Sequence, residues 1–239
     1  MNISKIGSVH IEKMCNNQDF FFAEEGFKLL TDGCSAGKDS DFGTRLFIKL
    51  ITMQEGYNDI EKFEKNVKIV FSKMFSIFNV EIGEKMKKND YEFLVNNFLF
   101  TILACFELED KFVVIFLGDG YIITENVYGK LSFIKINYGT YPPYYVYNYM
   151  LDKNKNSFKE ELEFKKYEFQ KSLFKRVGIA SDGIAPVVFS DKLDYQEKKK
   201  LDSFLLNTQN IPENRNINQV SNIIQRNSQI FYDDTTIVF

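Results

Sequence analysis

Residues 29–45 read LLTDGCSAGKDSDFGTR and join an apolar run to a segment with helical spacing. The apolar run ends on Asp32-Gly33, and a polar turn follows before the helical spacing begins at Asp41. A carboxylate at the end of a buried strand, followed by glycine, places charge in a crevice where backbone can approach a ligand closely. Such an arrangement can bind a phosphate or a metal ion, and the rest of the chain has to decide between the two.

The composition is that of a folded protein with no electrostatic preference for nucleic acid. The 239 residues are 44% hydrophobic and 26% charged, which predicts one domain spanning 1–239. The net charge of −3 predicts no nucleic-acid partner. The amino terminus has no apolar signal core, and the most apolar window, 98–106, is too short to cross a bilayer, so we expect no membrane partner. Three cysteines without CxxC spacing fit a reducing compartment, and the expected location is cytoplasmic.

Apolar spacing predicts strands near the amino terminus and then two helices. Residues 1–31 are interpreted as paired strands, one of them an alternating run over 6–11. Helical spacing covers 41–54 and 58–78, and Asn58 is the expected cap of the second helix.

From residue 98 the spacing changes to that of extended chain. Four apolar runs, at 100–106, 112–117, 121–124 and 131–134, predict a meander of neighbouring strands. Residues 138–170 look irregular and are interpreted as a surface loop or as a flap over the site. A strand at 177–181, helices at 196–206 and 217–229, and a short last strand complete the predicted order.

Three apolar runs end in Asp-Gly, and an acidic pair opens the last strand. The sites are Asp32, Asp119, Asp182 and the pair Asp233-Asp234. A single Asp-Gly is usually a hairpin turn, and Asp119 fits that interpretation by itself because it lies between two apparent meander strands. Four such sites at strand ends predict carboxylates that converge at one edge of a pair of sheets.

Converging carboxylates repel one another, so they either take up protons or hold a cation. No cluster of His or Cys accompanies them, and the ion would therefore be a hard one, Mg²⁺ or Mn²⁺, that keeps several waters. Two such ions can activate a water and clamp a phosphoryl group for in-line attack. Hydrolysis of a phosphoester is the chemistry that these residues suit.

The spacing of residues in the sequence argues against two other kinds of phosphate site, a P-loop and a cysteine phosphatase loop. A P-loop requires G-x-x-x-x-G-K-[ST], but Gly33 and Gly37 are too close together and Lys38 is followed by Asp39. A cysteine phosphatase needs an Arg six positions after its thiolate, and none of the three cysteines has one.

The ordered set of motifs resembles the metal-dependent protein phosphatases of type 2C, in particular their compact bacterial branch. That branch opens with S-H and N-Q-D, continues with A-D-G-x-G-S-x-x-x-S-x-x-G-A-R and a G-D-G or G-D-S hairpin, and closes with S-D-G and D-D-x-T. Each motif is weak alone, but the ordered set covers essentially the whole chain. The matching residues here are Ser8-Val9-His10, Asn17-Gln18-Asp19, Thr31-Asp32-Gly33, Ser40, Gly43, Arg45, Gly118-Asp119-Gly120, Ser181-Asp182-Gly183 and Asp233-Asp234-Thr235-Thr236.

The resemblance implies an α+β fold, a four-layer α/β/β/α sandwich in which two central antiparallel sheets are flanked by helices. It implies an enzyme, a phosphoprotein phosphatase that hydrolyses phosphoserine or phosphothreonine by attack of a hydroxide bridging two metals. The cofactors would be two Mg²⁺ or Mn²⁺ ions, with a weaker third. The partner would be a phosphorylated protein that is the target of a kinase.

The resemblance also implies roles for single residues. Asp32 would bridge both metals, and the backbone carbonyl of Gly33 would bind one of them. Asp182 and Asp233 would hold the other ion, and Asp19 would act through metal-bound water. The four carboxylates would be the catalytic residues.

Two further acidic residues and one departure complete the comparison with the family pattern. Asp119 matches the position linked to the weaker third metal, and Asp234 stands beside the ligands where many members have Asn. Many members bind the substrate phosphate with an Arg at the position of Met14. Lys13 or His10 would have to replace that Arg as the substrate-binding residue, although a structural role for His10 is also open.

For two residues of the stretch 29–45, the resemblance does not imply a definite role. Cys34 stands where many eukaryotic members have a histidine, and the turn 34–40 is interpreted as a rim that shapes the site. Arg45 matches a family position, and we expect it to form an ion pair from the first predicted helix.

Three functions are compatible with the sequence. The first is the protein phosphatase, and the second is a pseudophosphatase that binds a phosphoprotein or a regulatory partner without turnover, as the loss of Arg at Met14 suggests. The third is a hydrolase of small phosphoesters. Retention of the four carboxylates favours a working metal site, because a scaffold without turnover has no need of groups that repel one another.

Overall fold

The computed structural model describes residues 2–136, 142–150, 161–189, 193–206 and 213–239. Within these ranges the strands form two antiparallel sheets of five strands each. The first sheet has the order β1-β10-β9-β6-β7, and the second has the order β2-β3-β4-β5-β8. The strands are β1 Asn2–Lys5, β2 Phe20–Glu24, β3 Phe27–Thr31, β4 Ile102–Glu107, β5 Lys111–Leu117, β6 Gly120–Asn126, β7 Leu131–Ile136, β8 Lys165–Gln170, β9 Phe174–Ala180 and β10 Thr235–Val238.

The helices lie outside the two sheets. None of the helices in the described ranges is long and apolar enough to cross a membrane. The helices are α1 Ser8–Glu12, α2 Ser40–Ile51, α3 Ile60–Ile77, α4 Lys88–Asn97, α5 Ala185–Phe189, α6 Tyr195–Leu206 and α7 Glu213–Arg226, with 3-10 turns at Gly83–Lys85, Tyr145–Tyr149 and Asp182–Ile184.

The central strands are buried on both faces, which explains why they read as continuous apolar runs. Because side chains alternate along a strand, Leu29 of β3 packs against the helices α2 and α3, and its neighbour Leu30 packs between the two sheets. On the other side of the molecule, α7 covers the outer face of the first sheet through Val220 and Ile223. The order of layers is therefore helix, sheet, sheet, helix, and the predicted fold class is confirmed.

Both predicted helices after residue 40 are present, with small shifts at their ends. The cap of α3 is Asp59, whose side chain accepts the N–H of Glu61 at 2.9 Å. The prediction of Asn58 as the cap is wrong, because its side-chain amide donates to Glu24 at 3.0 Å instead. No pattern in the sequence predicts α4, in which Leu94 is the buried residue.

The strand predicted over 6–11 is wrong. Residues Ser8–Glu12 form the short helix α1, and His10 is its buried residue. A single helical turn and a short alternating strand place apolar residues at similar spacings, so a run of six residues does not distinguish them.

The predicted meander holds only within each sheet. β4 pairs with β5, and β6 pairs with β7, but β5 and β6 belong to different sheets. The chain crosses between the sheets at Asp119, between Gly118 and Gly120, which have φ of 113° and 138°. Asp119 is therefore not in a hairpin turn. The prediction of a meander failed here because a hydrophobic pattern indicates where strands lie but not which strands pair.

The segment 138–170 is more regular than predicted in the parts that the structure describes. Residues 137–141 and 151–160 lie outside the described residues. Around the turn Tyr145–Tyr149, the side chains of Tyr144, Val146 and Met150 are buried against the outer face of the second sheet. Residues Lys165–Gln170 form β8, which pairs with β5. The prediction of an irregular segment is wrong for these two parts.

Candidate metal centre

Asp32 follows β3 directly, and its backbone is fixed by the chain that leads into β4. The N–H of Thr101 donates to the carbonyl of Asp32 at 2.8 Å, and the N–H of Asp32 donates to the hydroxyl of Thr101 at 3.2 Å. Gly33 then pairs with Phe100 as an isolated bridge. A Cβ on Gly33 would lie 2.7 Å from the hydroxyl oxygen of Ser40, so the close approach of α2 requires glycine here.

Asp19 lies next to Asp32 and is held from the first sheet. Its carboxylate is 2% exposed and accepts the hydroxyl of Ser181 at 2.7 Å. The hydroxyl oxygen of Ser181 in turn accepts the N–H of Thr236 at 2.9 Å. Ser181 therefore ties the Asp19 carboxylate to the edge where β9 ends and β10 begins.

The end of β9 and the start of β10 bring Asp182 and Asp233 together. The hydroxyl of Thr235 donates to the carbonyl of Gly183 at 3.0 Å. A Cβ on Gly183 would lie 1.9 Å from the carbonyl oxygen of Asp234, so the two segments touch through their backbones. The side chain of Asp233 accepts the N–H of Asp234 at 2.9 Å, which orients that carboxylate relative to its own backbone.

Asp119 reaches the same edge through strand register. Tyr121 of β6 lies opposite Ala180 of β9 in an antiparallel pair. Asp119 precedes Tyr121 by two residues, and Asp182 follows Ala180 by two residues. Both residues therefore follow the same end of the β6–β9 pair, and the charge of Asp119 raises the pKa of Asp182.

The pKa values of Asp32 and Asp182 are raised because other carboxyl groups lie close to them. Burial raises the pKa of Asp32 well above its ordinary value, and the charges of Asp19, Asp182, Asp119 and Asp233 raise it further. Burial likewise raises the pKa of Asp182, to about 7, with further contributions from Asp119 and Asp233. The neighbouring carboxylates thus lie close enough to Asp32 and Asp182 to disfavour the ionised forms of these two groups.

The donor set fits a hard divalent cation. The carboxyl groups of Asp19 and Asp32 face each other at hydrogen-bonding range, and no donor in the described part of the chain reaches the buried Oδ1 of Asp19. Two carboxyl groups in this arrangement need a proton or a cation between them. Among the described residues, no three acidic, histidine or cysteine side chains are grouped so that they could hold a metal ion by themselves. Mg²⁺ keeps several waters and needs only one or two carboxylates from the protein.

Asp234 is a structural carboxylate beside the cluster. Its two oxygens accept the N–H of Gly7 at 2.7 Å and the N–H of Gln18 at 2.6 Å. It also lies 2.9 Å from Nδ1 of His10, and this contact is the main reason why the pKa of His10 is raised. The expectation that Asp234 stands beside metal ligands stays a prediction.

The two residues predicted to bind substrate occupy different environments. His10 is 4% exposed and faces Asp234, which favours its structural role. Lys13 is exposed at the end of α1. Met14, at the position where many family members have Arg, is 95% exposed with φ of 56°.

Arg45 has a different role from the one expected. Its guanidinium donates to the carbonyl of Asn17 at 3.3 Å and lies 5.0 Å from the centre of the Phe20 ring. Within the described residues it forms no ion pair, so the expected pairing is wrong. Arg45 instead supports the loop that leads to Asp19.

Three residues at the site are not predicted by the sequence patterns. Ser181 belongs to the S-D-G motif, but the motif does not indicate its contact with Asp19. Tyr144 packs near Cys34, and the pKa of its hydroxyl is raised by burial and then by Cys34. The charge of Lys135 acts on Asp119 and Asp182. The S-D-G motif marks Ser181 in the sequence. Tyr144 and Lys135 belong to no such motif, and their segments reach the site only through the fold.

Known proteins share this architecture. A family model described as "Protein phosphatase 2C" matches residues 6–224. The serine/threonine phosphatase Stp1 from Staphylococcus aureus is similar in structure, with a TM-score of 0.60 and 11% identity over 99% of this chain and 92% of that one. The phosphatase PstP/Ppp from Mycobacterium tuberculosis has a TM-score of 0.57 and 16% identity, over 99% and 95% of the two chains. No curated protein sequence matches the chain.

A related solved structure contains metal. The catalytic domain of the phosphatase PstP in complex with two manganese ions matches with a TM-score of 0.57 and 15% identity, over 99% of this chain and 94% of that one. At these identities the solved structures establish the likeness of fold.

The four-layer fold and the match of the family model define the class, that of metal-dependent phosphatases. The chain belongs to the protein phosphatase 2C family. It is accordingly a metal-dependent serine/threonine protein phosphatase, and neither its family nor its fold supports the pseudophosphatase alternative.

Proposed function

We propose that Asp32, Asp182 and Asp233 hold the catalytic metals of this phosphatase, together with the backbone carbonyl of Gly33. The observation that carries the proposal is the burial of Asp32 among four other carboxylates, which raises its pKa well above the ordinary value. A buried cluster of like charges is costly unless a cation is bound. Divalent ions bound there would lower the pKa of a shared water and neutralise phosphoryl oxygens, the chemistry of two-metal phosphoester hydrolysis.

The protein residues around the cluster have positioning roles in this proposal. Ser181 donates to Oδ2 of Asp19 and leaves Oδ1 directed toward the cluster. Asp234 accepts the N–H of Gln18, so the loop that carries Asp19 is held next to Asp233. These contacts fix the carboxylates before substrate arrives, which reduces the reorganisation required during the reaction.

We infer that the metals are Mn²⁺ or Mg²⁺. Oxygen donors without thiolate or imidazole favour hard cations. The two manganese ions of the related PstP structure support Mn²⁺ as the ion to test first.

The proposed substrate is a protein carrying phosphoserine or phosphothreonine introduced by a kinase, as expected of a signalling phosphatase. Lys13 is proposed as the cation that meets the substrate phosphate, since it is exposed at the end of α1 beside Met14. A reducing, cytoplasmic location is proposed because Cys15, Cys34 and Cys105 are free thiols.

The test is Mn²⁺-dependent hydrolysis of a phosphothreonine peptide by the wild type and by Asp32→Asn. We expect turnover that requires added metal and a fall of more than about 100-fold in Asp32→Asn, since even the partner of a metal ligand is worth 10–100-fold. The matched control is Asp110→Asn, a substitution on the exposed turn between β4 and β5, which should leave turnover unchanged. Lys13→Ala should raise KM with little change in kcat.

Two results would overturn the proposal. A phosphopeptide that is bound tightly in the presence of Mn²⁺ but recovered intact would indicate a pseudophosphatase. Faster hydrolysis of small phosphate esters than of any phosphopeptide would indicate a metabolite hydrolase.

A further inference from the structure

Ser4 lies in β1, the strand at the edge of the first sheet, and its side chain meets the strand that follows Asp233. In the register of β1 and β10, Ser4 is directly opposite Thr236. Residues directly opposite in an antiparallel pair bring their side chains together on one face. The hydroxyl oxygens of Ser4 and Thr236 are 2.7 Å apart, and Thr236 is buried. A side-chain hydrogen bond therefore connects the edge strand to β10.

Asn17 extends this connection to Asp19. Its amide nitrogen donates to the hydroxyl of Ser4 at 2.9 Å, and its amide oxygen accepts the backbone N–H of Asp19 at 2.9 Å. The second contact fixes which end of the amide is oxygen, since an N–H can donate only to that atom. One side chain thus spans the distance from the edge strand to the backbone of Asp19.

Thr236 is the residue at which this connection meets the contact of Ser181. The N–H of Thr236 donates to the hydroxyl oxygen of Ser181 at 2.9 Å, and the Ser181 hydroxyl donates to the Asp19 carboxylate at 2.7 Å. The hydroxyl of Thr236 lies in hydrogen-bonding range of the same carboxylate. Asp19 is therefore held through its backbone by Asn17 and through its carboxylate by hydroxyl groups, and both connections lead to Thr236.

The direction of the hydroxyl protons follows from Asn17. Because the amide of Asn17 donates to Ser4, each hydroxyl has one donor and one acceptor if Ser4 donates to Thr236 and Thr236 donates to Asp19. Without that amide, the Ser4 oxygen can accept the proton of Thr236 instead, and the Asp19 carboxylate loses a donor. Asn17 therefore acts on the carboxylate of Asp19 as well as on its backbone.

We propose that Asn17 and Ser4 are positioning residues of the metal centre, which direct the Asp19 carboxylate toward the ions although neither touches a metal or the substrate. The inference rests on the proposed function, because it assumes that metal ions bind beside Asp19. Without the two side chains, Asp19 would have to be ordered when the ions bind, and that cost lowers their affinity. Partners that orient the groups around a metal typically contribute a factor of about 10–100 in affinity or activity.

The test measures Mn²⁺ affinity by titration calorimetry, and stability in a chelator by urea unfolding, for Asn17→Ala and Ser4→Ala. Each variant should bind Mn²⁺ about tenfold more weakly than the wild type. The double variant should lose little more than either single one, because both side chains belong to one connection. Ser4→Thr keeps the hydroxyl in a residue that strands favour, and should restore the wild-type affinity. At saturating Mn²⁺, KM for a phosphopeptide should match the wild type, because neither side chain meets the substrate.

Asn16→Ala and Ser8→Ala are the matched controls. Asn16 lies in the same loop as Asn17, and its amide donates to Asp41 at 2.9 Å. The hydroxyl of Ser8 donates to the carbonyl of Ser228 at 2.9 Å. Each substitution removes one hydrogen bond of the same length that does not involve Asp19, so Mn²⁺ affinity should stay at the wild-type value.

Two results would overturn the inference and leave the proposed function standing. One is a pair of variants, Asn17→Ala and Ser4→Ala, that are less stable in the chelator but bind Mn²⁺ as tightly as the wild type, which would show a purely structural role. The other is a Ser4→Thr protein that binds as weakly as Ser4→Ala. If Asn17→Ala does not fold, the two Ser4 variants decide alone. A wild type that binds no Mn²⁺ would instead overturn the proposed function, and this inference with it.

Discussion

Nδ1 of His10 lies 2.9 Å from Oδ2 of Asp234, so a residue of the first helix meets a residue at the start of the last strand. Both are nearly inaccessible, at 4% and 2% exposed. The same carboxylate accepts the N–H groups of Gly7 and Gln18. One side chain therefore fastens the residue before α1 and the residue before Asp19 to the edge of the first sheet.

We expect Asp234→Ala to destabilise the metal-free protein by about 3–5 kcal/mol, because it leaves two buried N–H groups and a buried imidazole without their acceptor. His10→Ala should cost less, since Asp234 keeps both backbone donors. Urea unfolding of the two single variants and the double variant gives their coupling energy, which should exceed about 1 kcal/mol.

The matched control for this cycle is Asp59→Ala, which removes the exposed cap of α3. It should cost only about 1 kcal/mol. An Asp234→Ala protein as stable as Asp59→Ala would show that the buried contacts of Asp234 contribute little.

The central strands β4, β5 and β6 were predictable because their burial on both faces leaves continuous apolar runs. The pairing of the strands was not predictable from the sequence, and Asp119 shows the consequence. A turn of Gly-Asp-Gly between two apolar runs reads as a hairpin, whereas here it is a crossing between sheets. A connection of a few residues can join two strands of one sheet or cross from one sheet to the other. The packing of the rest of the chain therefore determines which of the two forms.

The acidic residues of the site were predictable from their repetition at strand ends, but their supporting residues were not. Lys135 acts on Asp119 only because β6, β7 and β9 have a particular register. Tyr144 approaches Cys34 from a segment more than one hundred residues later in the chain. Contacts of this kind depend on tertiary structure, and the local pattern of apolar and polar residues does not predict them.

Metal-free protein should lose stability as the pH rises from about 5 to 8. Burial and neighbouring carboxylates raise the pKa of Asp182 from 3.8 to about 7. A raised pKa in the folded state means that the stabilising contribution is complete below the ordinary value and is lost as the pH rises through about 7. The Tm measured in a chelator should therefore fall across this interval.

Added Mn²⁺ should reverse that dependence, because the metal binds the deprotonated carboxylates and releases their protons. Asp182→Asn, which cannot ionise, should show a flatter profile in the chelator and little stabilisation by Mn²⁺. A wild-type Tm in the chelator that rises from pH 5 to 8 as steeply as with Mn²⁺ would contradict the assignment.

Gly183→Ala should weaken metal binding more than it weakens the fold. The added Cβ would lie 1.9 Å from the carbonyl of Asp234, so the end of β9 must move away from β10, taking Asp182 away from Asp233. Gly43→Ala is a matched clash elsewhere, with its Cβ 1.8 Å from the carbonyl of Asn97 at the end of α4. Calorimetry should show a loss of Mn²⁺ affinity of at least tenfold for Gly183→Ala. Equal losses of affinity in both variants would indicate a general effect of destabilisation.

The turn Tyr145–Tyr149 should behave as core and not as a flap. The ring centre of Tyr145 lies 4.9 Å from that of Phe71 and 5.6 Å from that of Phe164, and the residue is 9% exposed. Tyr145→Ala should therefore cost about 3–5 kcal/mol in urea unfolding, as expected when a buried aromatic ring is removed. Tyr145→Phe keeps the ring and should cost about 1 kcal/mol or less. At a temperature where both variants are folded, KM for a phosphopeptide should match the wild type, whereas a flap would give the opposite pattern, with altered KM and unchanged stability.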